Sequence, residues 1–172
     1  MGTKHTTDAM DLDLVAIGIL RREGRLVMVR PAREGNRWYI PGGLIEGGEL
    51  ADEGLKRELR EETGAEVIGT SLPVFISQID RPAHRAQTIV FGFAISEWRG
   101  ELRVEDPDGE IDEVALVPFG EACQRLRENG GWLGVQEPLL AYLEEKVAPG
   151  ALWFYREGSH GQQRTSLPDH SS

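Results

Sequence analysis

Residues 43–65 read Gly-Leu-Ile-Glu-Gly-Gly-Glu-Leu-Ala-Asp-Glu-Gly-Leu-Lys-Arg-Glu-Leu-Arg-Glu-Glu-Thr-Gly-Ala. Within them Glu58, Glu61 and Glu62 stand at i, i+3 and i+4. On a helix that spacing stacks three carboxylates on one face, within reach of one metal ion or a small cluster. Like charges four residues apart repel, and a divalent cation is the simplest reason for Glu58 and Glu62 to be together. At about 100° per residue, the arc with Leu50, Ala51, Gly54, Leu55 and Leu59 also holds the three glutamates. The opposite arc, with Glu49, Asp52, Glu53, Lys56, Arg57, Arg60 and Thr63, is an ordinary solvated face. A charged surface helix with incidental ion pairs is the usual reading of so much glutamate. Its placement among protein-facing residues argues otherwise, because half-buried carboxylates must be paired or ligate metal.

The stretch resembles a known family. Gly43, five residues, Glu49, seven residues, then Arg57-Glu58-Leu59-any-Glu61-Glu62-any-Gly64 and the small apolar Ala65 match the Nudix box throughout. Trp38-Tyr39-Ile40-Pro41-Gly42-Gly43 looks like the usual entry into that box. The box helix of the family often carries two alanines where this chain has Gly54 and Leu55. Gly54 costs a helix up to about 1 kcal/mol relative to alanine but permits close backbone packing.

The 172 residues suit one domain with a proper apolar core. No stretch has the length of a membrane span, and residues 1–11 lack the apolar region of a signal peptide. Cys123 is the only cysteine, so no intramolecular disulfide and no cysteine-based zinc site can form. A buried structural thiol in an amphipathic helix is its expected role, and a cytoplasmic location is the expectation for the whole chain. The net charge of −10 and the lack of a basic stripe disfavour a nucleic-acid polymer as partner. They leave room for a small phosphorylated substrate if metal ions neutralise the site locally.

Residues 1–10 read as a loose polar leader, 11–148 as the domain, and 149–172 as an extension. The apolar, β-branched run 12–20 predicts a strand, with 25–29 as its hairpin partner; 38–40 is short and extended, and Pro41 ends it. Gly42, Gly43, Gly47 and Gly48 form a loop that lets the backbone approach a ligand. The box helix is expected from about Glu49 to the stop at Gly64. Strands follow at 74–79, 88–95 and 114–117, with a weaker one at 102–104, and helices at 119–127 and 136–146, Pro138 in the first turn of the last. The apolar burst 151–156 packs on the domain, adds an edge strand or joins two subunits, and 158–172 is expected to be disordered. Strands, a helix, more strands and more helices predict an α/β fold with a mixed sheet flanked by helices. The resemblance implies the same: the Nudix fold, an α/β/α sandwich in a single domain.

The resemblance also implies hydrolysis of a nucleoside diphosphate linked to another group, with water attacking a phosphorus. Such a site must neutralise charge and align nucleophile and leaving oxygen, which Mg²⁺ or Mn²⁺ on oxygen ligands does. Carried onto this chain, Glu58 and Glu62 ligate metal most directly, and Glu61 shares a metal or orients metal-bound water. Gly42, like Gly43, offers backbone groups near the metal. Glu49 is a metal candidate only if the helix begins later or the loop curls back. Arg57 is expected to pair with a box carboxylate and hold its rotamer. The general base is sought in the acidic loop 106–113, with Glu110 first and Glu113 second. His5, His160 and His170 lie in the tails. Arg81, His84 and Arg85 share one loop and are candidates to touch substrate phosphate. Trp38 or Phe91 is a candidate to stack on a base, against the commoner fate of core packing.

Relatives that hydrolyse ADP-ribose tend to carry a proline about sixteen residues past the box, and here Pro82 stands seventeen past Ala65. This places ADP-ribose or a related nucleoside diphosphate sugar first. The absence of a tyrosine from that loop disfavours diadenosine polyphosphates. A nucleoside triphosphate pyrophosphohydrolase that cleans the nucleotide pool is the alternative, and a non-catalytic nucleotide sensor is another. An acidic calcium-binding module is disfavoured because no EF-hand loop is present. A homodimer is expected from the 151–156 burst.

Overall fold

The computed structural model describes residues 10–69, 72–129 and 131–165. The leader through Ala9, His5, His170 and the tail from residue 166 lie outside the described residues. Strand β1 (Asp11–Arg22) turns into β2 (Arg25–Pro31) through Glu23 and Gly24. Both turn residues have positive φ, 51° and 72°, which matches the twist of the flanking strands. Then come β3 (Gly42–Leu44), α1 (Ala51–Thr63), β4 (Glu66–Gly69), β5 (Pro73–Arg81), a short 3-10 turn (Pro82–His84), β6 (Ala86–Ile95) and β7 (Glu97–Arg99). The chain continues through β8 (Ile111–Pro118), α2 (Phe119–Glu128), α3 (Leu133–Leu143), β9 (Ala151–Gly158) and β10 (Gly161–Arg164).

The main sheet runs β10-β9-β5-β6-β1-β2-β8, with β3 added to β1, while β4 and β7 make a separate ribbon. It is mixed: β1 runs parallel to β6, and β5 to β9, whereas β2, β3 and β8 pair antiparallel to their neighbours. β1 is the pivot. Its residues 16–20 are all buried, with no polar alternation, because both faces of the sheet are covered there. Ile17 and Ile19 point into a core with Leu126, Leu139 and Trp153 below α2 and α3. Ala16 and Leu20 point the other way, to Leu55 and Leu59 of α1. Each fully buried leucine contributes about 1.5–3 kcal/mol relative to exposure. The result is the expected α/β/α sandwich with a mixed sheet.

Most expected elements form, with informative differences. The 102–104 segment is not a strand, and the strand nearby is β7. Helix α3 begins three residues before Gln136, which puts Pro138 inside it rather than in its first turn. The expected disorder from Gly158 is corrected as far as Thr165, because β10 folds back on β9 and pairs 161–164 with 158–155. The hairpin is latched to α3: Gln162 Oε1 accepts the Gly134 N–H at 3.0 Å, and Tyr155 Oη donates to Glu137 at 2.7 Å. Trp153 and Tyr155 are buried beneath α3, whereas Leu152 and Phe154 point to the opposite face. That face of β9, β5 and β6 also carries Ile76 and Phe91, in register with Leu152, and Ile89, in register with Gln78 and Phe154. Among the described residues no helix is long and apolar enough to cross a membrane.

Gly18 sets how closely α1 docks. A Cβ there would lie 2.7 Å from Leu59 Cδ1, a fully buried side chain. We expect Gly18→Ala to lower stability by about 1–3 kcal/mol through overpacking. Gly120→Ala in α2, where a Cβ meets nothing within 4 Å, should be neutral or gain up to about 1 kcal/mol. Urea midpoints of both variants check this.

Candidate active site

Two glycines bring main chain and carboxylates together. Gly42 has φ 140° and lies against β1 so closely that a Cβ would sit 2.2 Å from the Ala16 carbonyl oxygen. Only glycine fits that approach. A Cβ on Gly43 would sit 2.7 Å from the Glu58 carboxyl carbon. Glu58 therefore lies directly over the backbone of β3. One turn on, Glu62 Oε2 accepts the Gly42 N–H at 2.7 Å. Helix α1 is held in this place by Leu55 and Leu59, by the Glu53 carboxylate accepting the Leu50 N–H at 2.8 Å, and by Gly64 at φ 70°, whose N–H bonds Arg60 O.

Glu49 lies outside the helix, since α1 begins at Ala51. A tight turn, in which the Glu46 N–H reaches Glu49 Oε2 at 2.9 Å, curls it back to Arg57. The guanidinium grips Glu49 with two bonds of 2.8 and 3.0 Å. Arg57 also donates to Glu58 at 2.8 Å, to Glu61 at 3.4 Å and to the Leu44 carbonyl at 2.9 Å. One planar cation thus orients three carboxylates and the end of β3.

The electrostatics are lopsided. The hydrogen bonds from Arg57 hold Glu49 down at about 2, and the carboxylates in turn push the Arg57 pKa up. Burial raises Glu58 above the ordinary range despite Arg57. Burial pushes Glu62 up to about 8; the Gly42 N–H opposes this, and the charges of Glu58, Asp106 and Glu110 add to it. No cation contacts Glu62 among the described residues. Nor do three Asp, Glu, His or Cys side chains there converge into a ready-made metal cage. Two neighbouring carboxylates with unsatisfied negative charge fit a hard cation of the Mg²⁺ type, which takes one or two carboxylates and completes its shell with water and phosphate oxygens. Glu58 and Glu62 would hold it, with Glu61 and Glu49 turned toward Arg57.

The opposite wall comes from residues 101–111. The Arg103 N–H bonds Thr63 O at 3.0 Å and the Glu105 N–H bonds Glu61 O at 2.7 Å, which satisfies carbonyls left open at the end of α1. This brings Asp106 and Glu110 toward Glu62. Asp106 belongs to the acidic run in which the base is sought, but carries no special mark there that would set it beside Glu110 and Glu113. Burial opposes its ionisation, yet bonds from the Ile111, Asp108, Glu110 and Gly109 amides hold its pKa below the usual value. Glu113 is placed differently. It shares a face of β8 with Ala115 and Val117, which pack into the core under α2 and α3, and Arg30 holds it at 3.0 Å. The sheet separates it from α1.

The remaining candidates do not gather at the glutamates. Trp38 is buried in the core below α2, with the Arg125 cation 4.9 Å from its ring. Phe91 lies beside Phe93 on the sheet face shared with α1. Arg81 bonds Asp13 at 2.5 Å and lies 5.1 Å from the Trp132 ring. His84 and Arg85 are exposed in the β5–β6 turn, and His160 in the β9–β10 turn. Asp11 pairs with Ala86, whereas Ala16 pairs with Gly43, so the β5–β6 turn is about 16 Å along β1 from the carboxylates. Cys123 is buried, and burial pushes its thiol up, away from nucleophile character.

A cleft of about 450 Å³ opens on the α3 side of the sheet, lined by Ile17, Tyr39, Ile40, Asn129, Trp132 and Gln136 among others. Ile17 is the register partner of Gly42, so the cleft and the carboxylates lie on opposite faces of the same few residues of β1 and β3. Asn129 is fixed by the Trp38 backbone, and Gln136 donates to the Leu126 carbonyl. Nothing local in the sequence marks these residues, because the cleft forms from segments a hundred residues apart.

A pH dependence follows from Glu62. Its folded pKa of about 8 lies above the ordinary 4.5. Between those values the folded protein keeps a proton that the unfolded chain has released. Stability of the metal-free protein should therefore fall as pH rises through that window. Glu62→Gln removes this contribution. In EDTA, the wild-type urea midpoint should decline relative to that of Glu62→Gln between about pH 5 and pH 8. Parallel midpoints would show that Glu62 ionises normally.

Comparison with known proteins agrees with this geometry. The family described as the NUDIX domain matches residues 12–137. The chain is 35% identical over 114 residues to MutT4 of Mycobacterium tuberculosis, covering 64% of this chain and 40% of that one. It is 32% identical over 96 residues to the 8-oxo-dGTP diphosphatase of Proteus vulgaris, 51% of this chain and 80% of the other. It is 30% identical over 99 residues to the ADP-ribose pyrophosphatase of Methanocaldococcus jannaschii, 55% and 57% of the two. The chain thus spans less than two thirds of the length of two of these relatives. The crystal structure of a MutT protein from Bacillus halodurans superposes with TM-score 0.68 at 22% identity, over 90% of this chain and 95% of that one. The match runs from β1 into α3 and takes in the glycines, the arginine and the glutamates described above, and the chain belongs to the Nudix family.

Proposed function

We propose that this protein is a divalent-metal-dependent pyrophosphohydrolase that cleaves the pyrophosphate linkage of a nucleoside diphosphate derivative. The observation that carries the reading is the pair Glu58 and Glu62, held over the backbone of β3 with more negative charge than Arg57 neutralises. The presence of all three box carboxylates, Glu58, Glu61 and Glu62, favours turnover over a catalytically silent sensor. Bound Mg²⁺ or Mn²⁺ would neutralise the pyrophosphate and make water more acidic. Glu58 and Glu62 would hold the ion, and Glu61, turned toward Arg57 at 3.4 Å, would share it or orient a water only by swinging from that bond. Gly42 has its N–H committed to Glu62, so it can serve a metal only through its carbonyl. Arg57 keeps Glu49, Glu58 and Glu61 in fixed rotamers. Glu110, on the wall facing Glu62, accepts the proton of the attacking water. Glu113 is the weaker choice, since it pairs with Arg30 across the sheet.

The cleft beside Ile17 offers aromatic and amide side chains to a nucleoside. Trp132 is about half exposed there and is better placed to stack on a base than the buried Trp38. Arg81 backs the Trp132 ring, so it supports the cleft rather than touching phosphate directly; His84 and Arg85 could reach only the distal end of a long substrate. ADP-ribose or another nucleoside diphosphate sugar is the first substrate reading, on Pro82 and the ADP-ribose pyrophosphatase relative. A nucleoside triphosphate is the second, favoured by the 8-oxo-dGTP diphosphatase relative at similar identity. The lone buried thiol suits a reducing compartment, and we place the protein in the cytoplasm.

The test is a product screen in Mg²⁺ and Mn²⁺ over ADP-ribose, nucleoside diphosphate sugars, dGTP and 8-oxo-dGTP. We expect AMP from ADP-ribose, and loss of at least about 100-fold in kcat on Glu62→Gln, typical for removal of a key charge. Pyrophosphate from a triphosphate would select the second reading. Full turnover by Glu62→Gln would remove the metal assignment, and binding without turnover by the wild type would make the protein a sensor.

The open face of β9, β5 and β6 supports a homodimer, since Leu152 is 56% exposed among the half-buried Ile76, Phe91 and Phe154, and exposed apolar sheet faces mark association surfaces. Light scattering at micromolar concentration should give twice the chain mass of 19.1 kDa, and the single mass for Leu152→Asp. A monomeric wild type would remove this reading.

A further inference from the structure

The acidic loop carrying Glu110 is built around one side chain. Asp106 Oδ2 accepts the N–H groups of Glu110 at 2.6 Å and of Ile111 at 2.8 Å, and Oδ1 accepts that of Asp108 at 2.9 Å. Gly109 supplies the positive φ of 66° that the turn needs. Asp106 itself follows directly on Glu105, whose N–H is bonded to Glu61 O at the end of α1. On the far side, the Glu110 carbonyl accepts the Ala32 N–H at 2.8 Å. The main chain of Glu110 is therefore fixed from both sides, its N–H by Asp106 and its carbonyl by the end of β2. Its side chain is exposed. A loop with proline, glycine and four carboxylates in 106–112 would otherwise sample many states.

We propose that Asp106 is a positioning residue for hydrolysis, acting through Glu110. Its carboxylate gathers three amides by charge-assisted bonds and sets the distance between the proton acceptor and the box helix. The inference rests on the reading of Glu110 as that acceptor. Asp106 needs only acceptor oxygens for this role. Asparagine at the position still presents one oxygen to the Glu110 and Ile111 amides, whereas alanine presents none.

The experiment compares Asp106→Ala, Asp106→Asn, Glu110→Gln and the double variant Asp106→Ala/Glu110→Gln. It uses whichever of ADP-ribose or 8-oxo-dGTP the wild type turns over in Mg²⁺, and amide hydrogen exchange by NMR is measured on the same proteins. A displaced catalytic group costs on the order of 10–100-fold. Asp106→Ala should lower kcat by that factor with KM changed less than about threefold, and Asp106→Asn should recover most of the loss. On the Glu110→Gln background, Asp106→Ala should add less than about threefold, since both act on one group. Exchange at the Glu110 and Ile111 amides should accelerate at least about tenfold in Asp106→Ala. Equal losses in the alanine and asparagine variants would show that the charge itself acts, and would overturn the proposal. Multiplicative losses in the double variant, unchanged kcat in Asp106→Ala, or unchanged exchange would each overturn it too. If Asp106→Ala does not fold, Gly109→Val strains the same turn without touching the carboxylate, and unchanged kcat there would overturn the proposal. A fully active Glu110→Gln would remove the acceptor assignment and with it the action through Glu110. A fully active Glu62→Gln would instead remove the metal reading while leaving the exchange result standing.

Discussion

Repulsion among carboxylates is the constraint around which this molecule is arranged. Glu49, Glu58 and Glu61 converge on a single guanidinium, and Glu62 stands one turn beyond with, among the described residues, only a backbone N–H for a partner. Left to itself, such a group would splay into solvent. It is held by features that gain nothing from its charge: two buried leucines under α1, a glycine on β1 that admits them, and a left-handed cap at Gly64. Half-buried charge is tolerated at functional sites when the surrounding packing over-determines the geometry. Arg57 spreads its donors over three acceptors and a carbonyl, so no one carboxylate can rotate away without breaking a bond in the set. Lysine, with a point charge, could not impose the same planes.

The strand β1 gives that arrangement its foundation. It pairs with β6 from Asp11 to Leu20 on one edge, and with β3 and then β2 on the other. Its central residues alternate between two cores, so a one-residue shift in register would exchange Ile17 and Ile19 for Ala16 and Leu20. Volume differs sharply between those sets, and Gly18 fits only toward Leu59. The register of β1 therefore fixes where β3 lies. β3 in turn fixes Gly42 and Gly43 relative to Glu62 and Glu58.

The sequence reports these things unevenly, and physics explains the difference. The box helix is legible because its information is local: spacing, cap and glycine stop lie within 23 residues. The runs of β1, β5 and β6 are legible because burial on both faces leaves apolar, β-branched stretches. Glu49 misled an idealised helical wheel, which assumes regular backbone where the chain in fact makes a turn before Ala51. The start of α3 was placed too late because Pro138 suits a first turn; in the fold its missing N–H is tolerated mid-helix, where tertiary packing of Leu139 and Leu143 outweighs it. Residues 161–164 lack hydrophobic alternation and read as tail, yet they pair because β9 offers an edge and Glu137 holds Arg164 at 3.3 Å. The cleft was invisible because Ile17, Tyr39, Trp132 and Gln136 share no pattern until the sheet and α3 bring them together.

The same distinction bears on how the site can vary. The carboxylates are tied to α1 and β3, which are buried on β1 and leave little freedom. The cleft wall comes from α3 and the segment before it, and the far carboxylates from a loop. On the proposed reading, substitutions at Trp132 or Gln136 would change what a nucleoside meets without disturbing Glu58 or Glu62, because the β1 sheet stands between them. A rigid reaction centre beside a replaceable wall separates the chemistry from the choice of substrate. That separation is why residues 43–65 speak clearly about the reaction and hardly at all about the group that leaves.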